Sequence, residues 1–157
     1  MPKITIRAES AYRKHIAPRR LREAALETLS HENAPDDVEL TIAITGDDEI
    51  RDLNRRHRGV DAPTDVLAFG EGMTDARFAA PGEPAYLGDV IISYPRAQAQ
   101  ADSRGHPVSD ELLLLVVHGV LHLLGHDHAE PNEKRKMWRT QDKVLRDLGA
   151  HVKLGRR

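Results

Sequence analysis

The feature that most constrains this chain is an apolar run ending in histidines: Leu112-Leu-Leu-Leu-Val-Val117, then His118-Gly-Val-Leu-His122-Leu-Leu-Gly125-His126-Asp127-His128. Six consecutive aliphatic residues cannot lie on a solvated surface, and they are too few to span a bilayer. They read as the core of a buried helix. His118 and His122 stand four apart, so on a helix both rings leave one face, one turn above the other. Gly125 supplies the positive-φ residue that ends helices, so the chain can turn and bring a third histidine back toward the first two.

Three neutral imidazoles around one ion, with a fourth position left for water, is the layout of a catalytic zinc site. His118, His122, Gly125 and His128 fall at i, i+4, i+7 and i+10, the spacing of H-E-x-x-H-x-x-G-x-x-H metallopeptidases. Those enzymes carry a general-base glutamate directly after the first histidine. Here that position is Gly119. The metal cage is present and the peptidase base is missing. Sequence alone could exchange His126 with His128 as third ligand; the i+10 spacing favours His128 and leaves His126 at the edge of the site or in solvent.

At 157 residues, with 39% hydrophobic and 31% charged residues, the chain reads as one globular domain over 1–157. It has no cysteine, hence no disulfide and no thiolate ligand, which fits a reducing compartment. The N-terminal Met-Pro-Lys-Ile-Thr-Ile-Arg lacks an apolar core of the signal-peptide kind. A cytoplasmic location without membrane partners is the expectation.

Alternation predicts a first strand at Ile4, Ile6 and Ala8, and a cleaner one through Val38, Leu40, Ile42 and Ile44. Pro18 opens a helix with Leu21, Ala24, Ala25 and Leu29 on one side. Gly46-Asp47-Asp48 starts another, carrying Ile50 and Leu53 inward. Asp61 to Asp65 forms a turn and Val66 to Phe69 a short strand. Gly70 to Pro84 reads as a mobile surface loop. Leu87 to Ser93, apolar on both faces, is a central strand. A helix follows from Ser93-Tyr-Pro95 to Ser103-Arg-Gly105, then the histidine helix capped by Ser109 or Asp110. A last helix opens at Pro131, with Met137, Gln141, Val144, Leu145 and Leu148 on one side. The basic tail from Lys153 frays. Strand, helix, strand, helix, two strands and three helices make an α+β fold: a mixed sheet of about four strands with the histidine helix packed on it.

Arginines 51, 55, 56 and 58, the basic start of the first helix and the basic start of the last could line an anionic surface. Arg58 is a candidate to hold a phosphate in two places, or else an ordinary cation at a helix end. Asp89 stands inside a strand, where aspartate is rare. It could be the base that replaces the missing glutamate, the partner that fixes a histidine tautomer, or a group bonded to backbone at a bulge. Thr64 and Asp65 read as turn formers, and Glu111 as a first-turn helix charge. Aromatic residues are only 4% of the chain, so no base-stacking platform is evident.

Three ordered stretches resemble the YbeY family of metal-dependent endoribonucleases, the ribosomal RNA maturation factors. They are Asn54-Arg-Arg-His-Arg58-Gly-Val-Asp61-Ala-Pro63-Thr64-Asp65-Val-Leu-Ala-Phe69, Leu87-Gly88-Asp89-Val-Ile-Ile-Ser93, and the histidine segment to His128. The resemblance implies His118, His122 and His128 as ligands of one divalent ion, zinc. It implies Arg58 as a catalytic or substrate-binding arginine, and it adds support to Asp89. It also implies cleavage of single-stranded RNA, maturation of the 3′ end of small-subunit ribosomal RNA, and ribosome quality control. The implied partners are the small subunit and an assembly GTPase. Departures from the pattern are Ala68 for Ser, and His57 and His126 for Tyr. Two other readings compete. One is a zinc-stabilised RNA- or ribosome-binding module without catalysis; the other is a metallopeptidase.

Overall fold

The computed structural model describes residues 1–70, 86–127 and 129–152. Strands β1 (Lys3–Ala8), β2 (Glu39–Thr45), β3 (Val66–Gly70) and β4 (Tyr86–Ser93) form one sheet in the order β1-β2-β4-β3. The first two and β4 run parallel, and β3 is antiparallel to β4. The helices are α1 (Pro18–His31), α2 (Asp47–Arg58), α3 (Tyr94–Arg104), α4 (Val108–Leu123) and α5 (Pro131–Asp147). The α+β class, the mixed four-stranded sheet and the element order agree with the sequence reading. One turn of 3₁₀ helix at Arg13–His15 was not expected. The loop expected over 70–84 lies outside the described residues except for Gly70, which closes β3. The tail from Lys153 lies outside them too. No described helix is long and apolar enough to cross a membrane.

The period of two sorts the strand residues between the faces. Ile4, Leu40, Ile42, Ile44, Val90 and Ile92 turn to one side, where α1, α4 and α5 complete the main core. Leu67, Phe69 and Ile91 turn to the other, where α2 covers them with Ile50 and Leu53. Helices α2 and α4 therefore lie on opposite faces. Each fully buried aliphatic side chain contributes about 1.5–3 kcal/mol, so the main core carries most of the stability.

Two glycines let α4 lie close to the sheet. A Cβ on Gly119 would stand 2.5 Å from Val90 Cγ1. A Cβ on Gly88, whose φ is +148°, would stand 2.2 Å from the Phe69 carbonyl oxygen and 2.7 Å from Leu123 Cδ2. Both contacts are shorter than atoms tolerate, so neither position admits a side chain without displacement.

The start of α4 differs from expectation. The helix begins two residues earlier than a Ser109 cap requires. Pro107 precedes it with no side-chain cap, and Ser109 and Asp110 lie within its first turn. Glu111 is the first-turn charge expected, and it is fully buried. Arg104 Nη1 donates to its carboxylate oxygens at 2.8 and 3.2 Å, and His106 Nε2 lies 3.5 Å away. Burial pushes the Glu111 carboxyl up, while Arg104 and His106 pull it back down.

Replacing Gly119 by alanine should lower the unfolding free energy by about 1–2 kcal/mol: overpacking costs about 1–3 kcal/mol and helix propensity returns up to about 1. Val90→Ala in the same chain should cost less than the two single changes added, because it removes the struck methyl groups. Urea unfolding of the four variants of the cycle measures both quantities.

Candidate metal centre

Helix α4 ends in a glycine-terminated cap. The His126 N–H donates to the Leu121 carbonyl at 3.0 Å and the Gly125 N–H to the His122 carbonyl at 3.0 Å, with Gly125 at φ +98°. This pair of 6→1 and 5→2 bonds reverses the chain immediately after the second histidine. His126 Nε2 then pairs with Glu32 Oε1, at the C-terminal end of α1. His126 is thus neither a solvent group nor part of the histidine pair: it fastens the post-helix segment to α1. His128 lies outside the described residues.

His118 and His122 meet as their spacing requires. Their Nε2 atoms are 3.2 Å apart, with ring centroids at 4.7 Å and planes at 73°. Two nitrogens on a tetrahedral zinc, each bonded at about 2.0–2.1 Å, stand about 3.3 Å apart. The pair therefore matches the separation that a shared ion demands. It also sits at the C-terminal end of α4, where the aligned peptide dipoles favour a cation.

Gln141 of α5 completes the pair. Its Oε1 lies 3.1 Å from His118 Nδ1, and the residue is only 4% exposed. A carbonyl-type oxygen accepts from N–H, so it holds the proton on Nδ1 and directs the Nε2 lone pair toward His122. The sequence reading placed Gln141 on the apolar side of the last helix without giving it a role. The available signal was a polar residue in an otherwise apolar stripe, since buried polar groups need partners.

A second gathering of ligand types, Glu27, His31 and Asp147, has candidate atoms within 4.8 Å of one another. His31 Nε2 is 2.8 Å from Asp147 Oδ2 and 3.5 Å from Glu27 Oε1. The composition suits a divalent cation. The same contacts also serve as a pairing of the last turns of α1 and α5.

Arg58 and Asp89 lie in the other layer. Arg58 is the exposed last residue of α2, before Gly59 at φ +69°. The loop behind it is held by buried Asn54, whose Nδ2 donates to the Ala62 carbonyl at 2.9 Å. The neighbouring His57 ring packs on Phe69 with centroids 4.8 Å apart, and Phe69 is the cross-strand partner of Asp89. By strand alternation Asp89 shares the α2 face with Phe69 and Ile91. It accepts from the Tyr86 hydroxyl, which is also 2.7 Å from Thr41 Oγ1. Burial, with the bond to Asp89 second, pushes the Tyr86 phenol up to about 12. The fold thus brings His118 to His122, and Arg58 to the same face as Asp89. These two groups lie on opposite faces of the sheet but at the same end of the β3–β4 pair, where Leu123 of α4 lies against Gly88 and His57 of α2 against Phe69. Thr64 and Asp65 behave as turn residues: Asp65 Oδ1 accepts from the Val66 N–H at 2.8 Å.

The chain matches the family model described as Endoribonuclease YbeY over residues 4–149. Three curated proteins named Endoribonuclease YbeY illustrate the likeness. The one from Chloroflexus aurantiacus is 50% identical over 128 residues, covering 80% of this chain and 83% of the relative. That from Dehalococcoides mccartyi strain CBDB1 is 41% identical over 153 residues, covering 92% of each. That from Halalkalibacterium halodurans is 43% identical over 135 residues, covering 82% and 84%. Among solved structures, a Thermotoga maritima protein determined in solution superposes with a TM-score of 0.60 at 24% identity, over 98% of this chain and 99% of that one. That last match speaks for the fold.

Gln141→Leu should weaken zinc binding about 10–100-fold while the chain stays folded, the usual effect of losing a group that orients a ligand. Gln141→Glu keeps an acceptor and should retain most of the affinity. Competition titration against a chromogenic chelator measures both.

Proposed function

Because this chain belongs to the endoribonuclease YbeY family, we propose that it is a metal-dependent endoribonuclease, a single domain over 1–157 that cuts single-stranded RNA. The observation that carries the reading is the His118–His122 pair, with Nε2 atoms 3.2 Å apart and an amide fixing one ring. His118, His122 and His128 are the proposed ligands of one divalent ion, zinc by the chemistry of an all-imidazole set. Such an ion supplies Lewis acidity toward a phosphoryl oxygen and lowers the pKa of water to about 7. His118 and His122 would hold it with their rings already oriented, and His126, through Glu32, keeps the following segment against α1.

Arg58 is proposed to hold the phosphodiester, a planar guanidinium suited to two phosphate oxygens at once. Asp89, on the same face and braced by Tyr86, is proposed to work with Arg58 on substrate. By the family's character we assign the chain to the cytoplasm, to maturation of the 3′ end of small-subunit ribosomal RNA and to ribosome quality control. Its proposed partners are the small subunit and an assembly GTPase. A metallopeptidase is not favoured, because its base would need a side chain at Gly119, where a Cβ alone already strikes Val90.

Purified protein should cut a single-stranded RNA faster than a duplex, lose the activity to a chelator and regain it with zinc. Arg58→Ala should lower the cleavage rate about 10²–10³-fold, the scale seen when a charge-stabilising donor is removed. Gel analysis of end-labelled products reads both results. RNA that is bound but never cut in the presence of zinc would favour the non-catalytic assembly-factor reading.

A further inference from the structure

Of the three basic segments visible in the sequence, that of α2 is largely neutralised in the fold and that of α1 in part. In α2, Arg55 and Arg56 both pair with Asp52, and Arg51 pairs with Asp61. In α1, Arg19 and Arg20 share Glu23. Helix α5 is different. Lys136, Arg139, Lys143 and Arg146 are all exposed, and none takes part in an ion pair among the described residues. Their spacing, i, i+3, i+7 and i+10, aligns them along one side of the helix over about 15 Å. They line a groove of about 540 Å³ together with Thr140 and Asp142. The buried side of the same helix carries Met137, Gln141, Val144 and Leu145.

Like charges one turn apart destabilise a helix. Four in a row, with one carboxylate in the groove beside them, form a site that a polyanion would relieve. The partner that fits is a phosphodiester backbone: 15 Å of stacked strand presents about four phosphates. Position limits what such a contact can do. Gln141 meets His118 from the buried side of α5, and the stripe faces outward from the other. A helix diameter of about 10 Å separates them. A strand engaged at both must extend several nucleotides beyond the cleavage centre.

We infer that the outer face of α5 is a second RNA-backbone contact, remote from the metal centre, that grips long substrates without taking part in cleavage. The inference rests on the reading of this chain as acting on RNA, and it concerns binding alone.

The test compares wild type with the quadruple variant Lys136→Gln, Arg139→Gln, Lys143→Gln, Arg146→Gln. Probes are labelled single-stranded RNAs of about thirty and about six nucleotides, the shorter within one compact single-strand site. Fluorescence anisotropy across a salt series gives the slope of log K against log salt. Each phosphate contact contributes about −0.7 for single strands, so four should account for about 3 units. For the long RNA the variant should show a slope shallower by about 2–3 units and at least tenfold weaker binding at low salt. Binding of the short RNA should stay within twofold, and the melting temperature should be unchanged or higher. KM for long-RNA cleavage should rise while kcat for the short RNA is unaffected. A wild-type slope on the long RNA would overturn the inference, and so would an equal loss on both lengths. If the quadruple variant does not fold, Arg139→Gln with Lys143→Gln should give about half the slope change. Should the wild type bind but not cut RNA, the nuclease reading fails while a slope change in the variant still upholds this contact.

Discussion

The architecture of this molecule depends on how closely α4 can lie on β4. Gly119 against Val90 sets that distance, and the absence of a side chain there fixes the helix in depth and in rotation. With Gly119 turned to the sheet, His118 and His122 must point elsewhere, toward α5, where Gln141 waits. The glycine that directs the imidazoles therefore also removes the position from which a peptidase would place its carboxylate. One steric fact selects the helix rotation, the direction of the two imidazoles and the lack of a carboxylate beside them.

Around that contact the polar interior is sparse and specific. Glu111 lies two turns before His118 on the same side of α4, wholly buried between Arg104 and His106. A buried carboxylate is costly unless paired, and removing one partner leaves the other uncompensated. The Arg104 bond joins the end of α3 to the first turn of α4, a turn whose N-terminal residue offers no side-chain cap. Tyr86, Thr41 and Asp89 form a comparable small network on the opposite face.

Much of this was legible in the sequence because local rules govern it. Alternation located β2, prolines located the starts of α1 and α5, and Gly125 located the end of α4. The i, i+4 spacing located the histidine pair. What escaped depends on partners distant in the chain. Glu111 was legible as a first-turn charge but not as a buried one, since nothing local says that Arg104 and His106 will enclose it. Gln141 looked like an interruption of an apolar stripe until His118 stood opposite it. The arginines of α2 looked like a cationic surface. Asp52, three and four residues before Arg55 and Arg56, was a readable sign of their neutralisation; the Arg51–Asp61 pair across the turn was not. Asp89 was readable as unusual, but its face follows only from the register of β4 between β2 and β3.

The strand order has a temporal meaning. Because β4 sits between β2 and β3, a chain emerging from its N-terminus can pair β1 with β2 but leaves the second edge of β2 and all of β3 without a neighbour until residue 93 has appeared. The amide that orients His118 arrives still later, on the final helix. A nascent chain thus carries its arginine-rich α2 well before it can assemble an oriented imidazole pair. The orientation of that pair therefore waits for residue 141, after every strand of the sheet has already emerged.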